Sequence, residues 1–151
     1  DLAAAPARLG TVRGVADLED AVREVPEWVL LRYGMLYGPT TWYGPGGLME
    51  RDALAGKLTA DADVISFLHV DDAVTAAVAA LDWPSGAVNV CDDEPAPGYE
   101  WLPVFCAGAG APQPMRSDAP RTGWARGADN THARTALNWA PSHPTWRAGF
   151  L

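Results

Sequence analysis

Trp28-Val-Leu-Leu-Arg-Tyr33, followed at once by Gly34-Met-Leu-Tyr-Gly-Pro39, is the stretch on which the fold turns. Its first half is a nearly continuous apolar run after the helix breaker Pro26, and predicts a strand buried on both faces, as in a parallel sheet. The residues that follow have the opposite character. Gly34 to Gly47 holds five glycines and two prolines in 14 positions, too many breakers for regular structure. An irregular loop leaving the end of such a strand is where α/β proteins place binding sites.

Working outward, Val15, Leu18, Val22 and Val25 recur at helical spacing and predict an amphipathic helix over residues 12–25. Residues 1–10 are Ala/Pro-rich without periodicity and read as an extended lead-in. A short helix is expected from Leu48 to Ala55, and a second strand over Ile65-Ser-Phe-Leu-His69. Asp71 or Asp72 is expected to cap a helix reaching about Leu81, where carboxylates favour the exposed amides. Pro84-Ser-Gly86 turns the chain into a third strand, Ala87-Val-Asn-Val-Cys91. A helix from Tyr99 to Ala109 then closes on Gly110 and Pro112. Residues 113–126 are turn-rich. Asp129-Asn-Thr131 caps a further helix to about Leu137, and residues 141–150 form a loop with a last helical turn. Few strands alternating with several helices, without internal repeats, indicate an α/β class.

Composition sets the outer limits. The chain has 151 residues, enough for one domain that buries a core without staples. Its net charge of −8 works against nonspecific nucleic acid or anionic lipid partners, which need a basic footprint. No apolar run approaches a membrane span and no leader pattern opens the chain. Two cysteines, Cys91 and Cys106, make no disulfide framework, so a reducing cytoplasm is expected. The chain holds one lysine, Lys57, against ten arginines, and it opens at Asp1 rather than at methionine.

Four motifs stand in a recognisable order: Leu31-Arg-Tyr-Gly-Met-Leu-Tyr-Gly-Pro39, Phe67-Leu-His-Val-Asp-Asp-Ala73, Gly86-Ala-Val-Asn-Val90 and Leu137-Asn-Trp139…Pro141. Together they resemble the C-terminal, substrate-binding half of extended short-chain dehydrogenases/reductases, the NAD-dependent epimerase/dehydratase family. The resemblance implies a partial Rossmann-type fold, with the nucleotide-binding half absent from this chain. The expected domain is therefore a single unit over residues 1–151, a fragment or a natural truncation.

Two family features are missing. Nucleotide binding needs a Gly-rich turn that opens a helix onto the pyrophosphate. The nearest candidate, Gly108-Ala-Gly110, closes a helix. The family's catalytic Tyr-x-x-x-Lys uses its lysine to lower the tyrosine pKa for proton exchange as hydride moves. Ala53 stands four residues before the only lysine, and aligning Glu19 with the glutamate that often follows the motif places the pair at Thr11 and Val15. No cofactor is expected for this chain alone, and NAD(P) only if a nucleotide-binding half is supplied. Tyr37, Gly38 and Pro39, the turn beside the nicotinamide in the family, would then meet it.

The resemblance also bears on substrate. Where relatives acting on nucleotide sugars carry an Asn after Arg-Tyr-x, this chain has Met35. Where they carry an Arg four residues before His-Val-Asp, it has Ile65. Losing that guanidinium removes the natural diphosphate clamp. A small, less charged metabolite is expected, bound by Tyr33, Met35, Tyr37, Trp42, Tyr43, Ile65, Trp124 and Arg126. Tyr37, His69 and Asp92 are the candidate catalytic groups, each with a structural alternative: a buried turn aromatic, a strand-end residue, a solvated loop acid. His69, His132 and His143 show no metal-ligand spacing, so no metal is assigned. Three functions remain open. The chain is the substrate-binding portion of an NAD(P)-dependent enzyme, a cofactor-independent isomerase, cyclase or lyase for an apolar metabolite, or a non-catalytic ligand-binding module. An uncovered sheet edge predicts association, with copies of itself or with a nucleotide-binding half.

Overall fold

A computed structural model describes residues 9–150. In chain order the helices are α1 Leu9–Val22, α2 Leu48–Leu54, α3 Val70–Ala79, α4 Gly98–Gly108 and α5 Thr131–Ala136. The strands are β1 Val29–Tyr33, β2 Met35–Tyr37, β3 Thr59–Ala60, β4 Val64–Ile65, β5 Phe67–His69, β6 Gly86–Val90, β7 Ala96–Pro97 and β8 Met115–Arg116. The α/β class with short strands is as the sequence predicts.

The helix α1 lies earlier than the predicted 12–25. Leu9 and Gly10 are helical rather than extended; residues 1–8 of the expected lead-in lie outside the described residues. At the other end, Glu24 N and Val25 N bond three residues back, to Ala21 and Val22 carbonyls. The chain is leaving helical geometry because Pro26 disfavours it for the residue before.

β1 and β6 pair in parallel, with Leu31 opposite Val88. The expectation of a strand buried on both faces is corrected. Val29 to Leu31 are half-buried, and Arg32 and Tyr33 are exposed. Among the described residues only β6 pairs with β1, and Glu19 of α1 meets Arg32 through two charged hydrogen bonds of 2.8 and 2.6 Å.

The supposed loop after Tyr33 holds a strand, which glycine count had concealed. Residues 35–37 return to extended geometry as β2 and pair in parallel with β5. Gly34 N donates to Val90 O, Met35 N to Ser66 O, and Asp92 N to Phe67 O. β5 thus enters where β1–β2 and β6 diverge. Gly34 makes that possible, since a Cβ there would stand 2.7 Å from the Phe67 carbonyl oxygen. The predicted strand over 65–69 is in fact two. Ser66 breaks it, its Oγ accepting from Ala128 N (2.8 Å), and β4 pairs antiparallel with β7. A third parallel pair joins β3 to β8, the latter in the expected turn-rich region.

Successive residues of β5 point into different cores, as the two-residue period of a strand requires. Leu68 packs with Ala73 and Ala76 of α3, Val88 and Val90 of β6, Ala133 of α5 and Trp139. Phe67 joins an aromatic core with Tyr37, Tyr43, Trp101, Phe105, Trp146 and Phe150. Two buried carboxylates tie residues 142–147 over this second core. Asp72 accepts from Ser142 N and His143 N, both at 2.9 Å, and Asp92 accepts from Trp146 N at 3.1 Å.

Candidate substrate site

Parallel strands place a site at their C-terminal ends, and two adjoining hollows open there. The first, about 450 Å³, is bounded by Gly34, Met35, Leu36, Thr40, Thr41, Trp42, Tyr43 and Val70. The second, about 310 Å³, shares Met35 and Tyr43 with it and runs towards α4. Its apolar walls are Met35, Met49, Leu58, Ile65 and Leu102; its rings are Tyr43, Trp101 and Trp124. Asp61 and Asp63 stand at its polar side, and among the described residues no lysine or arginine lines it. These volumes fall at the small end of ligand pockets. A larger hollow, about 630 Å³, lies at the opposite strand ends near Trp28 and Trp83, where no site-forming loops gather.

The turn that shapes the first hollow is fixed locally. Gly38 has φ 102°, a left-handed conformation, and a Cβ on it would lie 2.7 Å from His69 Nε2. Thr41 closes the turn through N and Oγ1, both donating to Gly38 O. The acidic side of the second hollow is fixed by longer-range bonds. Gly98 N and Tyr99 N donate to the carbonyls of Asp63 and Asp61. Asp61 Oδ1 accepts from Asp63 N at 3.1 Å, and the Asp63 carboxylate accepts from Thr122 N and Oγ1 at 2.7 and 2.8 Å.

Five of the residues expected to bind substrate, Met35, Trp42, Tyr43, Ile65 and Trp124, line these hollows. Trp42 is exposed. The others lie elsewhere. Tyr33 is half-exposed beside α3, its hydroxyl donating to Ala73 O at 3.2 Å. Arg126 is exposed, outside both linings. Tyr37 is fully buried: its ring meets Phe67, His69 and Phe150 edge-on, and its hydroxyl lies 3.4 Å from Thr145 O. Burial, with the charges of Asp92 and Asp72, pushes this phenol well above its ordinary value. Of the turn Tyr37-Gly-Pro39, Pro39 alone is exposed.

The other catalytic candidates are also committed to the scaffold. His69, not Asp71 or Asp72, caps α3: its Nδ1 accepts from Asp71 N at 3.2 Å, leaving the aspartates in the first turn. Asp92 is neither a solvated loop acid nor a pocket residue. It is 1% exposed, accepts from Glu94 N and Trp146 N, and burial raises its pKa to about 7.

His69, Asp71 and His143 converge, which sequence spacing did not reveal. The two imidazoles stack at 3.8 Å and 24°, and His143 Nδ1 faces Asp72 Oδ2 at 3.1 Å. Metal ligation uses ring lone pairs in the ring plane, so this face-to-face stack is a packing arrangement. Asp61, Asp63 and Trp101 were not singled out as site residues. The aspartates lie between two-residue strands with no local periodicity, and only the long-range contacts to α4 and Thr122 bring them to the hollow.

The fold family implies a dinucleotide, and the described residues do not build a Gly-rich cradle for one. Gly108 ends α4, and Gly110, at φ 65°, donates back to Ala107 O, so this glycine pair is a helix C-terminus. Lys57 meets Asp52 at 3.4 Å.

The fold is a portion of that of extended short-chain dehydrogenases/reductases, the NAD-dependent epimerase/dehydratase family. Solved structures of this architecture include the Bordetella bronchiseptica enzyme WbmG with NAD (TM-score 0.65, 24% identity, 82% of this chain and 42% of that one). UDP-glucose 4-epimerase of Thermotoga maritima, with UDP-glucose, gives TM-score 0.60 and 26% identity over 84% of this chain and 45% of its own. In sequence the chain is similar to a 3-diazoavenalumate denitrifying reductase of Streptomyces sp., 48% identical over 95% of this chain. The chain spans about half, 53%, of that relative's length. No family model matches the sequence. Among the described residues no helix is long and apolar enough to cross a membrane.

Proposed function

We propose that this chain is the substrate-side part of an NAD(P)-dependent reductase, acting on a small metabolite that is not linked to a nucleotide. The observation that carries this reading is the second hollow, walled by apolar and aromatic side chains, with Ile65 in its lining and no basic group among the described residues that line it. The reductase relative, whose name specifies a diazo compound, supports it. The nicotinamide cofactor is held by a nucleotide-binding half, docked along the open edge of β1 beside the first hollow. Half of the relative's length lies outside the match, and a parallel sheet with a bare edge strand is the natural seat for further strands. Cys91 and Cys106, both free and buried, suit a cytoplasmic setting.

The test is reconstitution. The chain is supplied with the half of the Streptomyces relative that lies outside the match, fused or mixed, and NAD(P)H oxidation is followed with aryl diazo compounds and with UDP-glucose. Turnover of the diazo compounds alone is expected. Oxidation driven by UDP-glucose instead would overturn the reading, as would a well-folded complex that turns over neither.

A further inference from the structure

Resting on that reading, we propose that the loop over residues 38–47 and the helix α2 behind it clamp a flat ring carrying one carboxylate, the ring laid on the Trp42 indole and the carboxylate held by Arg51. Thr40, Thr41 and Trp42 line two hollows at once. One is the first hollow; the other, a third of about 330 Å³, continues along the loop to Gly46, Leu48 and Arg51. Among the described residues, the first hollow has no charged group in its lining, and Arg51 is the one charged residue on the third. A ligand lying across Trp42 therefore meets an uncharged space on one side and a guanidinium on the other.

Trp42 is 67% exposed, and among the described residues its indole has neither a ring contact nor a hydrogen bond. A large ring left in water forfeits apolar burial, and its face is a stacking platform for another flat ring. Its backbone, by contrast, is pinned. Trp42 O accepts from Met49 N at 3.0 Å, and a Cβ on Gly47 would overlap that oxygen. Thr40 holds φ 65°, in the left-handed region that β-branched residues avoid, so the turn is kept against local strain. A platform fixed in this way loses little freedom when a ligand stacks on it.

The Arg51 guanidinium has no ion-pair partner among the described residues, and its one hydrogen bond there is long, 3.5 Å to Gly46 O. The neighbouring charges are committed to other groups. Glu50 Oε2 accepts from Gly46 N at 2.5 Å, and Asp52 faces Lys57 at 3.4 Å. Asp71, which follows the lining residue Val70, faces His69 at 3.7 Å. One guanidinium matches one carboxylate through two parallel hydrogen bonds. No second cation lines either hollow among the described residues to share a diphosphate.

Calorimetry on the full chain at pH 8 tests this with three probes of similar size: 2-naphthoate, neutral 2-naphthamide and saturated decalin-2-carboxylate. Naphthoate should bind tightest, with each of the others roughly fivefold weaker. Arg51→Met keeps an apolar stem and should bring naphthoate down to the level of naphthamide, whose own affinity stays unchanged. Trp42→Ala should weaken both flat probes roughly fivefold and the decalin acid less. Both side chains are exposed, so neither change removes core packing. Added salt should weaken the two carboxylates alone, a measurement that needs no variant. Equal affinity for naphthoate and either analogue, or unaltered naphthoate binding in Arg51→Met or in Trp42→Ala, would each refute the proposal. So would a Trp42→Ala chain that keeps the probes and loses association with the other half of the relative, since the loop would then be a protein interface. The readout is binding, so its failure is separable from failure of the reductase reading, which concerns turnover in the reconstituted protein.

Discussion

Two buried aspartates at the ends of neighbouring elements perform the same task with opposite responses to pH. Burial alone would raise the pKa of Asp72, but bonds from Ser142 and His143 outweigh it and hold the carboxyl below its usual range. Its contribution is therefore full above the unfolded value of about 4 and is lost as pH falls through the lower folded value. Asp92, raised to about 7 by burial, contributes fully in its neutral form below about pH 4, and that stability drains away as pH rises to about 7. Denaturant titrations at pH 5 and pH 8 should separate them. Asp72→Asn should cost about 2 kcal/mol at pH 8, where two backbone donors lose a charged acceptor. Asp92→Asn should flatten the wild-type loss between those pH values, by on the order of 1–3 kcal/mol. An unchanged slope in Asp92→Asn would show that its carboxyl ionises freely in the folded chain. Tyr37→Phe gives a third outcome: with a 3.4 Å hydroxyl contact, it should change stability by less than about 1 kcal/mol and leave probe binding intact. A large loss of binding would return Tyr37 to the site.

At the scale of elements, the junction of β1 and β2 leaves no room for a side chain. Gly34→Ala would push a methyl to 2.7 Å from the Phe67 carbonyl, and backbone cannot swing aside as a side chain can. A cost of roughly 2–4 kcal/mol is expected, read as a lowered denaturation midpoint. A near-neutral Gly34→Ala would mean that β5 can shift away. The same junction shows what the sequence makes legible. Helix start and stop residues and the β1 and β6 apolar runs are local signals, and they located α3, α4 and the β1–β6 pair. Of the aromatic cluster over residues 33–43, Trp42 and Tyr43 line the hollows at the strand ends, and Tyr33 and Tyr37 do not. Glycine density, read as irregularity, hid β2 because Gly34 and Gly38 serve close approach and a left-handed turn rather than disorder of the chain. Asp61 and Asp63 were silent because their place depends on Gly98, Tyr99 and Thr122, between 35 and 59 residues further on.

For the whole molecule, exposed apolar side chains gather on the outer elements. Val15 and Leu18 of α1, and Val74 and Val78 of α3 with Leu81 beyond it, are each more than half exposed, and among the described residues β1 pairs on one side only. Such surfaces associate. Light scattering should find the isolated chain larger than a monomer, and addition of the nucleotide-binding half should convert it to a defined complex. A monomer that ignores that half would contradict the docking placed on β1. The clasp over the aromatic core has a further consequence, for the order of events in folding. Tyr37 and Phe67 await Trp146 and Phe150, which come about 80 to 110 positions later. Loop closure of that span is entropically slow, whereas the α3–β6–α5 core joins nearer neighbours. The aliphatic core should therefore consolidate first. The aromatic core, and with it the walls of the second hollow, should set last.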